Sequence, residues 1–227
     1  MSKQIVLAMD SSGPQFLAGI TDGEKTYILR RTGIKQERFF LSVIEKLLAK
    51  ANAQLSDIKQ VCFVRGPGRF TGLRISMTFA SMLKMLNSTA VFSATLFDIL
   101  YMQVKQSVAF SKWKKAHPTG VVAIVLHAFR EEYFLQFFDG KHTEPQWLSK
   151  EELIAKLASR KEPLYIAGAD KDGSPLNILL DDKYRFAPQV DNHVRAASLL
   201  ALANHPIYQK NALEPLYLKP ARFELGQ

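Results

Sequence analysis

Residues 65–74 are the most informative run in the sequence and read Arg65-Gly66-Pro67-Gly68-Arg69-Phe70-Thr71-Gly72-Leu73-Arg74. Gly66 and Gly68 permit positive φ angles, and Pro67 fixes the turn between them. The run follows an apolar stretch at 60–64 and precedes a helical pattern at about 71–86. It is therefore predicted to be a tight turn that leads from a buried strand into a helix.

The same run predicts an anion site at the start of that helix. Thr71 is expected to cap the helix, and the first N–H groups of a helix have no intrahelical partner. Arginines at 65, 69 and 74 add positive charge around this end. The residues assigned to the loop and its anion site are Arg65, Gly66, Pro67, Gly68, Thr71, Gly72 and Arg74. The alternative is that the glycines serve the turn alone.

The segments around this run predict one lobe built on a mixed sheet. Three strands come first, and the Asp22-Gly23 pair marks a hairpin turn between the second and third. Helices and strands then alternate, which is typical of parallel crossovers. The predicted elements are strands at 4–9, 15–20 and 24–30, a helix at 35–53, a strand at 60–64, a helix at 71–86, a strand at 89–92 and a helix at 95–109.

The second half of the chain repeats this pattern in a shorter and less regular form. Residues 110–119 are polar and basic and include Pro118, so they are predicted to be a linker. The elements predicted beyond it are strands at 120–127 and 132–139, a helix at 149–158, a strand at 164–167 and helices near 174–180 and 192–204. We therefore predict two domains, 1–109 and 110–227.

Composition and charge restrict the class of protein. The chain of 227 residues is 47% hydrophobic and 22% charged, as in ordinary globular proteins. The one cysteine, Cys62, lies in an apolar run and favours a buried thiol in a reducing, cytoplasmic setting. No apolar stretch predicts a membrane span or a signal peptide. The net charge of +9 permits an anionic partner such as RNA but does not require one.

Few residues are suited to catalysis. Asp10, Ser11 and Ser12 end the first strand, where a carboxylate and two hydroxyls could serve a nucleotide phosphate, or Asp10 could simply anchor the turn. The five histidines form no pair with metal-binding spacing, and Cys62 has no neighbouring ligand. We therefore predict neither a metal site nor a nucleophilic centre.

The helices predicted at 35–53 and 71–86 carry more apolar residues than packing on one sheet requires. A helix on a sheet needs an apolar stripe of about 100°, whereas both helices are apolar around most of their circumference. We expect the surplus to face a partner, and the alternative is that both helices are enclosed within one copy. The residues assigned to this interface are Phe39, Phe40, Val43, Leu47, Met77, Met82 and Met85.

Four segments together resemble the TsaB family. Residues 65–74 match its pattern RGPG-x-FTG-[LV]-R, with Arg69 where the family usually has Ser. Residues 10–12 resemble its Asp-Thr-Ser turn, a vestige of the first phosphate loop of actin-like ATPases. Residues 36–48 resemble its His-Ser-Glu helix, with Gln36 for His, and residues 214–219 resemble its C-terminal motif, with Lys219 for Arg. The likeness is strong over 5–100 and weak over 103–213.

The resemblance implies an α/β, actin-like fold of two lobes, of the ASKHA and ribonuclease H-like type. It implies a non-catalytic dimerisation subunit without a cofactor or metal, in which Asp10, Ser11 and Ser12 keep a vestigial nucleotide site. The implied partners are a TsaD-type catalytic subunit that makes threonylcarbamoyladenosine in tRNA, a TsaE-type ATPase subunit, or a second copy of the chain. Contact with tRNA would be indirect, and no membrane is involved. The alternatives are an active actin-like ATPase or phosphotransferase and a tRNA-binding module.

Overall fold

The computed structural model describes residues 4–33, 35–140, 143–181, 183–205, 208 and 213–219. The α-helices and strands follow one another in the order β1 Ile5–Asp10, β2 Gln15–Thr21, β3 Thr26–Thr32, α1 Phe40–Lys50, β4 Ile58–Val64, α2 Phe70–Asn87, β5 Ala90–Ala94, α3 Leu96–Gln106, α4 Val108–Ala116, β6 Val121–Phe129, β7 Glu132–Phe138, β8 Gln146–Ser149, α5 Lys150–Ala158, β9 Leu164–Ala169, β10 Arg185–Phe186 and α6 Ala196–Leu200. Short 3-10 turns fill several connections, including Gln36–Arg38 before α1.

The chain divides into two compact units that are not continuous in sequence. The first unit runs up to Leu96 and also contains Val194–Leu216, whereas the second contains Phe97–His193 and the segment that begins at Tyr217. The sequence placed the boundary between residues 109 and 110. In the structure the chain leaves the first unit earlier, and α6 returns to it.

The first unit contains the mixed sheet that the sequence predicted. Its strand order is β3-β2-β1-β4-β5, with β1 antiparallel to β2 and parallel to β4. The turn between β2 and β3 uses the Asp22-Gly23 pair, with Gly23 at φ +95°, and the Asp22 carboxylate accepts hydrogen bonds from the backbone N–H groups of Glu24 and Lys25. The hairpin predicted from this dipeptide is thus confirmed.

The two faces of this sheet carry side chains of different size. Alternate residues of β1, β2 and β4, such as Leu7, Phe16 and Phe63, belong to one buried cluster with α1 and α2. On the opposite face a row of small residues crosses the sheet, because Gly19, Ala8 and Cys62 are neighbours across the strands. The α6 helix packs on this face, where a Cβ added to Gly19 would lie 3.2 Å from the Cβ of Ala196. The row of small side chains lets this helix approach the strands closely.

The second unit contains a five-stranded sheet with the order β10-β9-β6-β7-β8. Its β6 strand is antiparallel to β7 and parallel to β9. The α5 helix begins with a capping box, in which Ser149 Oγ accepts from the Glu152 N–H and Glu152 Oε2 accepts from the Ser149 N–H. Leu153 and Leu157 of α5 lie in the buried cluster of this unit.

The prediction of a linker at 110–119 is wrong. Most of that segment is the helix α4, because its aromatic residues pack within the second unit. The ring of Phe110 lies 5.2 Å from the ring of Tyr165, and the ring of Trp113 lies 5.1 Å from it. The lysines that suggested a solvated linker occupy the rest of the same helix.

Several predicted helices are shorter than expected, including the one at 95–109, which ends at Gln106. The helix predicted at 35–53 is a 3-10 turn followed by α1. The helix predicted near 174–180 is a 3-10 turn, Leu176–Ile178, and the one at 192–204 reduces to α6 with a 3-10 turn, Ala201–Asn204. No helix in the described residues has the length and apolar content that crossing a membrane requires.

Candidate functional site

The turn after β1 is held by the side chains that the sequence assigned to phosphate binding. Oδ1 of Asp10 accepts from the N–H of Ser12 at 2.9 Å and from its hydroxyl at 2.6 Å. The hydroxyl of Ser11 donates to the carbonyl of Gly72 at 2.7 Å and lies 2.5 Å from the hydroxyl of Ser76. All three predicted residues are buried, and each makes a hydrogen bond that shapes the turn itself.

Burial also raises the pKa of the Asp10 carboxyl. Loss of hydration raises the pKa of its carboxyl above the ordinary value, and the two hydrogen bonds from Ser12 oppose that rise in part. These contacts support a structural role for Asp10 at the end of the strand.

The start of α2 rests directly on this turn. The N–H of Arg69 donates to the carbonyl of Ser12 at 2.7 Å. A Cβ added to Gly72 would lie 1.9 Å from the carbonyl oxygen of Ser11, and one added to Gly68 would lie 2.6 Å from the backbone of Ser12. The structure thus brings residues 10–12 and 68–72 together, and both glycines are required because two backbones touch there.

Gly66 and Gly68 are needed for different reasons. Gly66 has φ +126°, as the sequence predicted, but Gly68 is not among the described glycines with positive φ. Glycine is required at position 68 by the close approach of Ser12 rather than by a positive φ. The peptide bond between Gly66 and Pro67 is cis.

Residues 214–216 are hydrogen-bonded to the other side of the loop. The N–H of Leu216 donates to the carbonyl of Arg65 at 2.8 Å, and a guanidinium N–H of Arg65 reaches the carbonyl of Glu214 at 3.4 Å. A Cβ on Gly66 would lie 2.6 Å from the carbonyl oxygen of Leu216. The loop at 65–74 and the segment at 214–219, which both resemble one family, are thus in contact. The Arg65 side chain is hydrogen-bonded to the backbone of Glu214 instead of lying at the start of α2.

The residues predicted to form an anion site do not all meet at the start of α2. Arg69 occupies the N-cap position and α2 begins at Phe70, so Thr71 lies within the helix and the prediction that it caps α2 is wrong. The guanidinium of Arg74 stacks on the ring of Phe70 at 3.7 Å. A cavity of about 230 Å³ opens at the helix start, lined by Gln36, Glu37, Arg69, Phe70, Thr71 and Gly72.

Gln36, like Glu37, lines this cavity but was not assigned to the site from the sequence. Its side-chain amide donates to the carbonyl of Gly13 at 2.7 Å, and the residue is only 4% exposed. In the sequence, Gln36 is a polar side chain immediately before an apolar helix, at the position where the family has His. Its contact with residues far away in sequence could not be deduced from that position.

Four of the residues assigned to the interface lie inside the first unit, so their assignment to an outer face is wrong. These residues are Phe39, Phe40, Val43 and Leu47, each at most 7% exposed. The physical reason is that α1 contacts both the sheet and α2. The ring of Phe40 lies 4.7 Å from that of Phe16 on β2 and 5.3 Å from that of Phe79 on α2.

An apolar group on α2 does face outward. Met82 is 37% exposed, Met85 84% and Leu86 73%, and their spacing of three and four residues places them on one face. Met77 is partly buried against the core, and Leu41 of α1 is 58% exposed. The surplus predicted from sequence therefore exists mainly on the second half of α2.

The second unit has a polar cluster near the ends of β6, β7 and β9. The hydroxyl of Tyr133 donates to Asp170 Oδ1 at 2.8 Å, and the Tyr133 pKa is raised mainly by burial and secondarily by that bond and by carboxylate charge. The ring of His127 lies 2.8 Å from the carbonyl of Arg130. In the ranges that the structure describes, no group of three or more His, Cys, Asp or Glu side chains has a metal-binding arrangement.

Comparisons of sequence relate the chain to proteins of tRNA modification. Residues 35–111 match a family model described as TsaD, tRNA N6-adenosine threonylcarbamoyltransferase. The tRNA threonylcarbamoyladenosine biosynthesis protein TsaB of Buchnera aphidicola from Schizaphis graminum is 31% identical over 49% of this chain, and the chain spans 51% of its length. The TsaB protein of Buchnera aphidicola from Baizongia pistaciae is 25% identical over 79% of this chain and 81% of its own.

Comparisons of structure give the fold. YeaZ from Pseudomonas aeruginosa superposes with a TM-score of 0.65 at 19% identity, covering 95% of this chain and 100% of its own. A Bacteroides thetaiotaomicron protein with an actin-like ATPase fold and unknown function has a TM-score of 0.51 at 12% identity, covering 88% of this chain and 96% of its own. The two mixed sheets flanked by helices are thus an actin-like α/β fold, as the sequence predicted.

Proposed function

Because the chain belongs to the TsaB (YeaZ) family, we propose that it acts in the biosynthesis of threonylcarbamoyladenosine in tRNA as a non-catalytic subunit that binds a TsaD-type threonylcarbamoyltransferase. The names of its curated relatives support the pathway. The match of residues 35–111 to the TsaD family model supports pairing, since related lobes of one fold can present matching helices to each other.

The observation that carries this proposal is the apolar group on α2. Met82, Met85 and Leu86 are exposed on one helical face, and methionine adapts readily to a partner's surface. Exposed apolar side chains that adjoin one another are typical of protein interfaces. In this proposal the partner covers them together with Leu41 of α1, while the buried part of α1 supports the surface from within.

Two further parts of the proposal follow from the same surface. A second copy of the chain covers the apolar group when the catalytic subunit is missing, which gives a homodimer. Contact with tRNA is left to the catalytic subunit, and a TsaE-type ATPase subunit binds the assembled pair. All of these partners belong to the cytoplasm.

The interface is tested by co-expressing the chain with the TsaD-type subunit of the same organism. We expect Met85→Asp and Leu86→Asp to abolish copurification, because a carboxylate at the centre of an apolar contact loses its hydration. Ile178→Asp is the matched control, since Ile178 is 78% exposed in the second unit. It should leave the complex intact.

A direct readout is the amount of threonylcarbamoyladenosine in tRNA from cells that depend on this chain. The α2 variants should lose the modified nucleoside, and the Ile178→Asp variant should keep it. A wild-type chain that forms no complex at micromolar concentration would contradict the proposal. So would a complex that both α2 variants retain.

A further inference from the structure

The β3 strand forms one edge of the sheet in the first unit, with β2 as its only neighbour among the described strands. Two backbone hydrogen bonds mark hydrogen-bonded pairs of this hairpin. One runs from the N–H of Asp22 to the carbonyl of Lys25, and the other starts at the N–H of Gly33 and ends at the carbonyl of Pro14. Such pairs alternate along an antiparallel ladder. The register therefore identifies the outward residues of β3, whose N–H and carbonyl groups point away from β2, as Thr26, Ile28, Arg30 and Thr32.

The free edge of β3 is open to another strand. Within the ranges that the structure describes, no backbone hydrogen bond is made by the outward residues on that side. Their side chains are also exposed, and β3 is seven residues long. A row of unpaired N–H and carbonyl groups is a template on which an extended segment can add a strand.

The charges along β3 decide which segment fits. Lys25, Arg30 and Arg31 are exposed, and none of the ion pairs in the described part of the chain involves them. The strand itself contains no acid, and the nearest acid in the sequence, Glu24, lies in the hairpin turn. Pairing with a second copy would bring the same three cations of each strand to one edge, so like charges oppose it. An acidic segment gains attraction at the same positions.

We propose that β3 binds an extended acidic segment of a partner protein, which adds a sixth strand to the five-stranded sheet. The segment runs antiparallel to β3, the commoner and slightly more stable arrangement. Its acids lie opposite Lys25, Arg30 and Arg31, and its apolar residues lie opposite Leu29 and Ile28, which is 46% exposed. This proposal does not depend on the pairing of the chain with a TsaD-type subunit.

The test uses a blocked peptide, EEVVVTE, whose residues pair in order with positions 31 down to 25 of β3. The control peptide, KKVVVTK, has the same length and β propensity with the charge reversed. We expect the acidic peptide to bind the full-length chain at least about tenfold more tightly, because three cross-strand pairs change from repulsion to attraction.

Amide hydrogen exchange of the ¹⁵N-labelled chain shows where the peptide binds. The acidic peptide should slow exchange at the outward residues, since their N–H groups gain acceptors. The amides of Tyr27, Leu29 and Arg31 already bond to β2 and should change little. Protection at every second residue identifies strand addition, because a peptide held by charge alone would not select alternate amides.

Variants of β3 separate the backbone contribution from the charge. Ile28→Pro removes one outward N–H and no hydrogen bond to β2, as proline at a strand edge allows, and it should abolish binding of the acidic peptide. Ile28→Thr is the matched control, since it keeps the N–H and a β-branched side chain, and it should retain binding. Arg30→Glu should weaken the acidic peptide and strengthen the lysine peptide. The comparison of the two peptides on the wild-type chain is independent of how these variants fold.

Three results would overturn the proposal. The first is that the acidic peptide leaves exchange at the outward residues unchanged. The second is that both peptides bind equally tightly, which would show that charge does not select the segment. The third is protection of the outward residues in the chain alone that rises with its concentration, which would assign the edge to a second copy.

Discussion

Gly72 places the backbone of α2 against the turn that follows β1. The carbonyl oxygen of Ser11 lies where the Cβ of any other residue at position 72 would be. The hydroxyl of Ser11 also donates to the carbonyl of Gly72, so the two backbones are joined as well as close. A side chain at position 72 would push apart the elements that form the candidate site.

Gly72→Ala should therefore destabilise the protein by at least about 3 kcal/mol, the upper part of the range for overpacking, because the atom that the new methyl group meets is backbone and cannot rotate away. Gly13→Ala is the control, since no atom lies within 4 Å of a Cβ at that position, and it should stay within about 0.5 kcal/mol of the parent. Urea unfolding followed by circular dichroism measures both. Equal midpoints for the two variants would disprove the account of Gly72.

At the scale of single elements, the N-terminal ends of α2 and α5 differ in whether a side chain caps the first backbone N–H groups of the helix. The α5 helix uses Ser149 and Glu152 of its own sequence, whereas α2 starts beside a cavity. The pattern Ser-x-x-Glu predicts such a cap from sequence. No such pattern precedes α2, where Arg69 occupies the N-cap position.

Ser149→Ala should reduce the free energy of unfolding by about 1 kcal/mol, because the N–H of Glu152 loses its acceptor at the first turn of α5. Ser111→Ala is the control, since Ser111 is exposed in α4 and caps no helix; it should lie within about 0.5 kcal/mol of the parent. Thermal and urea unfolding are the measurements. A Ser149→Ala variant as stable as Ser111→Ala would show that the capping box contributes nothing in solution.

At the scale of the whole molecule, the first unit is assembled from two separate stretches of the chain. Val194–Leu216 returns to it after the second unit has been completed. Cys62 on β4 shows the consequence, because it is buried and receives a backbone hydrogen bond from Ala203, while burial raises the pKa of its thiol to about 12. The thiol therefore stays protonated and shielded at neutral pH.

Leu199→Ala tests this assembly, because Leu199 of α6 is fully buried. We expect a loss of about 2–5 kcal/mol in the free energy of unfolding and faster reaction of Cys62 with a thiol reagent under native conditions. Leu200→Ala changes a partly exposed neighbour on the same helix and should have a smaller effect on both measurements. Unchanged thiol reactivity in Leu199→Ala would mean that α6 does not protect β4.

The sequence by itself determined the order of strands and helices from β1 to α3, the hairpin at Asp22-Gly23 and the turn at residues 65–74. These features depend on local patterns, namely apolar periodicity and the φ angles that glycine and proline allow or fix, and such patterns act on neighbouring residues. The likeness of four short segments to one family likewise gave the actin-like fold, since each segment is read as a local motif.

Only the tertiary structure decided which apolar residues are enclosed and which groups meet at α2. Phe40 was expected at an interface, but its burial depends on rings at positions 16 and 79. Ser11 and Gly72 are 61 residues apart, and Arg65 and Glu214 are 149 apart. Contacts of that separation depend on how the whole chain packs, because burial is a property of the three-dimensional surroundings and leaves no local pattern in the sequence.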